Sequence, residues 1–157
     1  MKKFPFFVFT IFWLGFLVAV SFFTTPIKFQ VNSIDLFEGV ALGKLTFNYF
    51  NKLELFFLIP LLIDFIINPS KPVHRAALLL LFGMLACQAV YLLPAMSAIT
   101  DVVIETRTPS NSSLHMIYVI FEVLKLICLV LISRYQIKAW KSEYKLNTYC
   151  NSKSSVV

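Results

Sequence analysis

The sequence predicts an all-α fold, a bundle of four transmembrane helices with both termini cytoplasmic. Three observations carry that expectation. Of the 157 residues, 59% are hydrophobic and only 14% are charged, whereas an average soluble domain is about 45–50% apolar and about 25% charged. The apolar residues gather in four runs long enough to cross a hydrocarbon core of ~30 Å, which takes ~20 residues. Lysine and arginine are unequally shared between the two sides. The tails and the 68–75 loop hold nine (Lys2, Lys3, Lys71, Arg75, Arg134, Lys138, Lys141, Lys145 and Lys153), and the opposite side holds Lys28, Lys44, Lys52 and Arg107. The positive-inside rule then places both tails in the cytoplasm.

The first span covers residues 6–24. Lys2 and Lys3 before it and Ala19-Val20-Ser21 within it resemble a secretory signal, but the apolar stretch exceeds the ~7–15 residues of such a segment, so an uncleaved helix is expected. The second span lies within 46–67, with Pro60 expected to kink it. Glu54 and Asp64 sit toward its outer and inner ends, where solvation at the interface is their expected role. Upstream, Asp35 and Glu38 have the spacing of a capping box. Residues 30–50 fit either a helix lying on the outer surface or an extension of the second span. There Gly39 and Gly43 would let another helix approach.

The third span covers 76–98 and follows the turn "INPSKP" (67–72). It bears a mostly small stripe of Gly83, Ala86, Cys87, Pro94 and Ser97, expected to receive a neighbouring helix. Cys87 and Cys128 lie inside apolar runs as small packing residues, and no CxxC pair is present. The fourth span covers 115–133 and follows "TPSNSS" (108–113), where Ser112 or Ser113 can cap it. Asn111-Ser112-Ser113 has the form of a glycosylation acceptor. Residues 1–137 thus form one membrane domain, and 138–157 a basic polar cytoplasmic tail suited to anionic lipid headgroups. The net charge of +6 sits at helix flanks, so nucleic acid is not an expected partner. A homo-oligomer or another membrane protein is.

The chemistry concentrates on the fourth span. His115, Tyr118, Glu122, Lys125 and Leu129 recur at alternating spacings of three and four, which places them on one helical stripe. Glu122 and Lys125 are one turn apart, so their charges can meet. Each alone would cost ~2.5–3.5 kcal/mol at mid-membrane, so the stripe must face the bundle. Gln88, near the middle of the third span and off its small stripe, is a candidate partner. The seam is either an internal ion pair that sets packing, or a relay for protons or ions or an anchor for a polar ligand. As an isolated pair it makes a prediction: Glu122→Gln should rescue Lys125→Met, which otherwise strands a carboxylate.

A second group lies on the outer side. Asp101 and Glu105 share a helical face, with His115 across the Pro109 loop, and two carboxylates and an imidazole can bind a divalent metal. The spacing matches no dedicated metal motif, so solvated loop charges are the leading expectation for this group. His74 and His115 are expected at opposite membrane edges, ~30 Å apart, so one chain cannot clamp a haem between them. No GxSxG, P-loop, HExxH or GxGxxG is present.

"FWLGFLVAVSFFTTPIKF", "ALGKLTFNYFNKLE" and "YLLPAMSAITDVVIE" followed by "PSNSSLHMIYVIFEVLKL" resemble a bacterial family of uncharacterised small four-helix membrane proteins. Its members carry a domain of unknown function and are loosely grouped with copper-resistance-D-like membrane proteins. The likeness spans about residues 10–130. Leu93-Pro94-Ala95 leading to Asp101, and the series from His115 through Tyr118 and Glu122 to Lys125, are its most specific parts. It implies a four-helix bundle of the bacterial inner membrane, with copper or haem handling known only among distant relatives. Two functions stay open on the sequence. One is a small transport or accessory subunit organised by the Glu122–Lys125 pair, with no cofactor assigned. The other is a membrane oxidoreductase or metal- or haem-handling protein using His115 with Asp101 and Glu105.

Overall fold

The computed structural model describes residues 5–24, 27, 30, 34–68, 71–108 and 113–154, with side chains to residue 145. The side chains of Lys2, Lys3, Lys28, Pro109, Asn111, Ser112, Cys150 and Lys153 lie outside the described residues.

Four long helices account for nearly all of the described chain. α1, Phe7–Thr24, is α-helical to Val18 and widens to a π-turn over Ala19–Thr24. α2 is Leu36–Ile67, an unbroken run of 32 residues, ~48 Å long. α3, Pro72–Thr106, is interrupted by a π-turn at Gln88–Leu92. α4 runs from Leu114 to Ser154, so the basic tail begins as a continuation of the last helix.

α1, α3 and α4 are long and apolar enough to cross a membrane. α2 has the length, but it carries Lys44, Lys52, Glu54 and Asp64 along it. It begins where the sequence places a capping box: the Asp35 side chain accepts from the first-turn backbone, and Glu38 accepts from the Asp35 backbone N–H. Residues 36–50 therefore extend the second helix. Gly39 and Gly43 are buried on it, and α2 meets the second half of α3.

The π-turn in α3 has a local cause. Pro94 brings no N–H to the helix, and its ring would collide with the carbonyl four residues back. Widening the preceding turn accommodates both. At the far end of α3, Arg107 adopts a left-handed conformation, φ 50° and ψ 32°, and ends the helix. Its guanidinium then lies 3.9 Å from the Asp35 carboxylate, joining the end of α3 to the start of α2. α4 packs against α1 and the first half of α3, and α2 packs along α3 and against α1.

The interior is layered along the bundle axis. Phe47, Leu92, Leu93 and Tyr118 form a small buried group toward the Arg107 end. A larger apolar layer, including Leu17, Phe57, Leu61, Leu81, Leu129 and Ile132, fills the middle and the half toward Asp64. Between and below these lie two buried polar layers.

The small-residue stripe of α3 does not receive a helix of this chain. Gly83, Ala86, Cys87 and Pro94 are exposed and Ser97 is half-buried, because Gln88 at the start of the π-turn directs the opposite face inward. Cys128 is buried as expected, and Cys87 is not. A Cβ added at Gly83 would meet nothing within 4 Å. Gly83→Ala is therefore expected to stabilise the fold, by about 0.5–1 kcal/mol, through restricting the unfolded backbone. A rise in the melting temperature of detergent-purified protein checks it, and a fall would mean that the stripe is covered in the folded protein.

Candidate functional site

All four helices converge on one buried charge cluster. Lys125 on α4 is fully buried, and its ammonium lies 2.6 and 2.7 Å from the two carboxylate oxygens of Glu54 on α2 and 2.7 Å from Glu122 on its own helix. An ammonium has three N–H donors, and three carboxylate oxygens receive them. Gln88 on α3 donates to Glu122 at 3.0 Å, and Ser21 on α1 donates to its other oxygen at 3.1 Å. Trp13, also on α1, donates its indole N–H to Glu54 at 3.3 Å. The Phe50 ring lies 5.7 Å from the ammonium.

Both π-turns serve this cluster. Ser21 belongs to the π-turn of α1 and Gln88 opens the π-turn of α3. A widened turn moves a side chain off the ordinary helical register, which is one reason such turns collect at functional sites. Here they bring two donors to opposite oxygens of one carboxylate.

The sequence stripe on α4 is buried as expected at Tyr118, Glu122, Lys125 and Leu129, and it continues through Ile132 and Gln136. His115 begins the stripe but is exposed, its ring 6.2 Å from that of Phe47. Gln88 partners Glu122, as its depth suggested.

Glu54 and Asp64 require correction. Interfacial solvation was expected of both, yet Glu54 is fully buried and Asp64 is 4% exposed. α2 explains this by its own period. Phe47, Phe50, Glu54, Phe57, Leu61 and Asp64 recur at spacings of three and four, the same pattern as on α4, so both carboxylates face the core. That repeat was legible, and it would have found the principal partner of Lys125.

Asp64 organises the second polar layer. Its carboxylate accepts from Gln136 at 2.8 Å and from Asn68 at 2.7 Å. Thr10 donates to the Gln136 carbonyl at 2.7 Å. His74, buried on α3, stacks on Tyr135 with ring centroids 4.3 Å apart, and its Nε2 is 3.8 Å from Asp64. α1, α2, α3 and α4 are thus tied together a second time, ~15 Å along the axis from Glu54.

The outer group does not assemble. Asp101 pairs with Lys44, Glu105 is exposed, and His115 lies against Phe47. Among the described residues, no three His, Cys, Asp or Glu side chains come together as metal ligands. His74 and His115 lie at opposite ends of the bundle: Lys71 bonds Tyr135 late in α4, whereas His115 is in the first turn of α4.

No family model, curated protein or solved structure matches this chain.

Proposed function

We propose that the protein is a small transport subunit of a bacterial inner membrane whose Glu54–Lys125–Glu122 centre binds and exchanges a proton. In this reading all four helices span the bilayer, α2 among them, because Glu54 and Asp64 face protein along the Phe47–Asp64 repeat, while Lys44 pairs with Asp101 and Lys52 lies over the Tyr49 ring. Both termini are cytoplasmic by the distribution of lysine and arginine, and the basic end of α4 meets anionic headgroups.

One observation carries the reading: two buried carboxylates share a single ammonium. A pair that serves packing alone is best as one charge against one, since uncompensated charge in a low-dielectric interior is costly. With both carboxylates ionised, the centre carries one excess negative charge. A single bound proton brings it to neutrality, and the proton belongs to the set rather than to either residue. The donors from Ser21, Gln88 and Trp13 keep the carboxylates in place in either state.

The test is difference infrared spectroscopy of the protein in lipid during a pH titration. A protonated carboxylic acid band should appear on acidification, corresponding to about one proton per chain, and vanish in Glu54→Gln, which leaves a balanced Glu122–Lys125 pair. No such band at any pH that preserves the fold would defeat the proposal. In liposomes, proton flux driven by a pH gradient should likewise be lost in Glu54→Gln.

A further inference from the structure

The charge centre is not equally enclosed on its two sides. Toward Asp64, the interior is apolar for several turns: Phe57 and Leu61 on α2 and Leu129 and Ile132 on α4 are buried in one cluster with Leu17 and Leu81. From Lys125 to Gln136 that amounts to ~16 Å. Toward the Arg107 end the cover is the smaller buried group of Phe47, Leu92, Leu93 and Tyr118, and it is polar in part.

Three buried polar atoms lie at the centre or one turn from it toward that side without a hydrogen-bond partner. They are Asn51 Nδ2, the Tyr118 hydroxyl and Gln88 Oε1. Asn51 is one turn from Glu54 on the same face of α2, and Tyr118 is one turn from Glu122 on α4. Phe47 and Tyr118 are in ring contact, centroids 4.8 Å apart, so the two outward turns adjoin across the α2–α4 seam. The third atom belongs to the side chain that already donates to Glu122. Asn51 is 5% exposed, Tyr118 1% and Gln88 0%. A buried donor or acceptor left unmatched costs about 1–3 kcal/mol, and three gathered in one place are the surroundings in which water is held. Beyond them, Asn48 is half-buried and Lys44 meets Asp101 at the surface, ~10 Å from Asn51 along the helix.

We infer that Asn51, Tyr118 and Gln88 line a hydrated access to the charge centre, open toward the Arg107 end and closed toward Asp64 by the Phe57–Leu61–Leu129–Ile132 layer. The ligand of this site is water, and through water a hydronium ion. Its purpose rests on the proton-exchange reading, but its existence does not. Water delivers a proton from one side of the membrane only, which is the asymmetry a transport centre needs in one of its resting states.

The test separates the two ideas, because it reads water and not proton binding. In a chain with Cys87→Ser, Cys128→Ala and Cys150→Ser, single cysteines are placed as Asn51→Cys, Tyr118→Cys, Leu61→Cys and Ile132→Cys. Sealed vesicles of each orientation are treated with a membrane-impermeant cationic methanethiosulfonate, which attacks only hydrated, ionisable thiols. The 51 and 118 cysteines should react from the side opposite the termini, at least about tenfold faster than those at 61 and 132. Equal protection at all four positions, or reaction at 51 and 118 only from the terminal side, overturns the inference. Hydroxyl-radical footprinting of the unaltered protein covers variants that fail to fold: Tyr118 should be oxidised while Trp13 is spared, and the reverse result also overturns it.

Discussion

Lys125→Met is expected to lose folded protein more severely than the other single changes considered for this chain, by about 3–5 kcal/mol. Removing the ammonium leaves Glu54 and Glu122 facing each other, both buried and both deprived of their cation. An ion pair confined to α4 would be repaired by Glu122→Gln, since no charge would then remain. The structure predicts otherwise: with Lys125→Met and Glu122→Gln together, Glu54 is still stranded, and most of the loss persists. Adding Glu54→Gln as a third change removes the last unpaired charge and should restore folded yield. Size-exclusion profiles of the three variants in mild detergent decide this. A double variant as well folded as the triple would mean that Glu54 is not a true partner of Lys125.

Asp64→Leu is expected to give the second-largest loss, from a different part of the bundle. The carboxylate takes hydrogen bonds from Gln136 and Asn68, and Gln136 in turn accepts from Thr10. Leucine would leave those two amides without an acceptor, at about 1–3 kcal/mol for each stranded group. Asp64→Asn retains an acceptor oxygen and should cost much less. The buried thiol of Cys128 provides the readout: in a chain lacking the other two cysteines, its reaction with a thiol-reactive dye on heating marks opening of the core. Asp64→Leu should lower that opening temperature clearly, and Asp64→Asn only slightly. Equal effects would mean that the carboxylate's charge, not its hydrogen bonding, holds the layer.

These two polar layers explain how a bundle can be specific where apolar packing alone is not. Helices inside a bilayer gain little from burying leucine against leucine, because lipid tails are equally apolar. Two sets of directional bonds, ~15 Å apart, the upper drawing on all four helices and the lower on α1, α2 and α4, constrain the rotation and depth of the helices. The upper set places two carboxylates on one ammonium. The lower set is locked by neutral amides, with His74 beside it on Tyr135.

The α4 seam was legible because its period is visible: His115 through Leu129 repeat at three and four, and a charge at mid-membrane must face inward. The partner on α2 has the same repeat, but Lys44, Lys52, Glu54 and Asp64 lower the apolar character of that helix and drew Glu54 and Asp64 toward the interface. The small stripe of α3 misled for a related reason. Small residues permit a close approach without requiring one, and whether a neighbour comes depends on which face the π-turn presents.

The sequence by itself determined that the chain is helical and suited to a membrane, that Asp35 and Glu38 have the spacing of a capping box, and that Glu122 and Lys125 can meet. Those properties depend on composition, on a local capping box and on residues one turn apart, all of which are encoded within a single segment. Only the tertiary structure decided that Lys125 sits between two carboxylates, that Ser21 and Gln88 reach the same Glu122 from separate π-turns, and that Asp101, Glu105 and His115 stay apart. Those outcomes depend on how four helices rotate against one another, and the spacing within one helix does not specify that rotation.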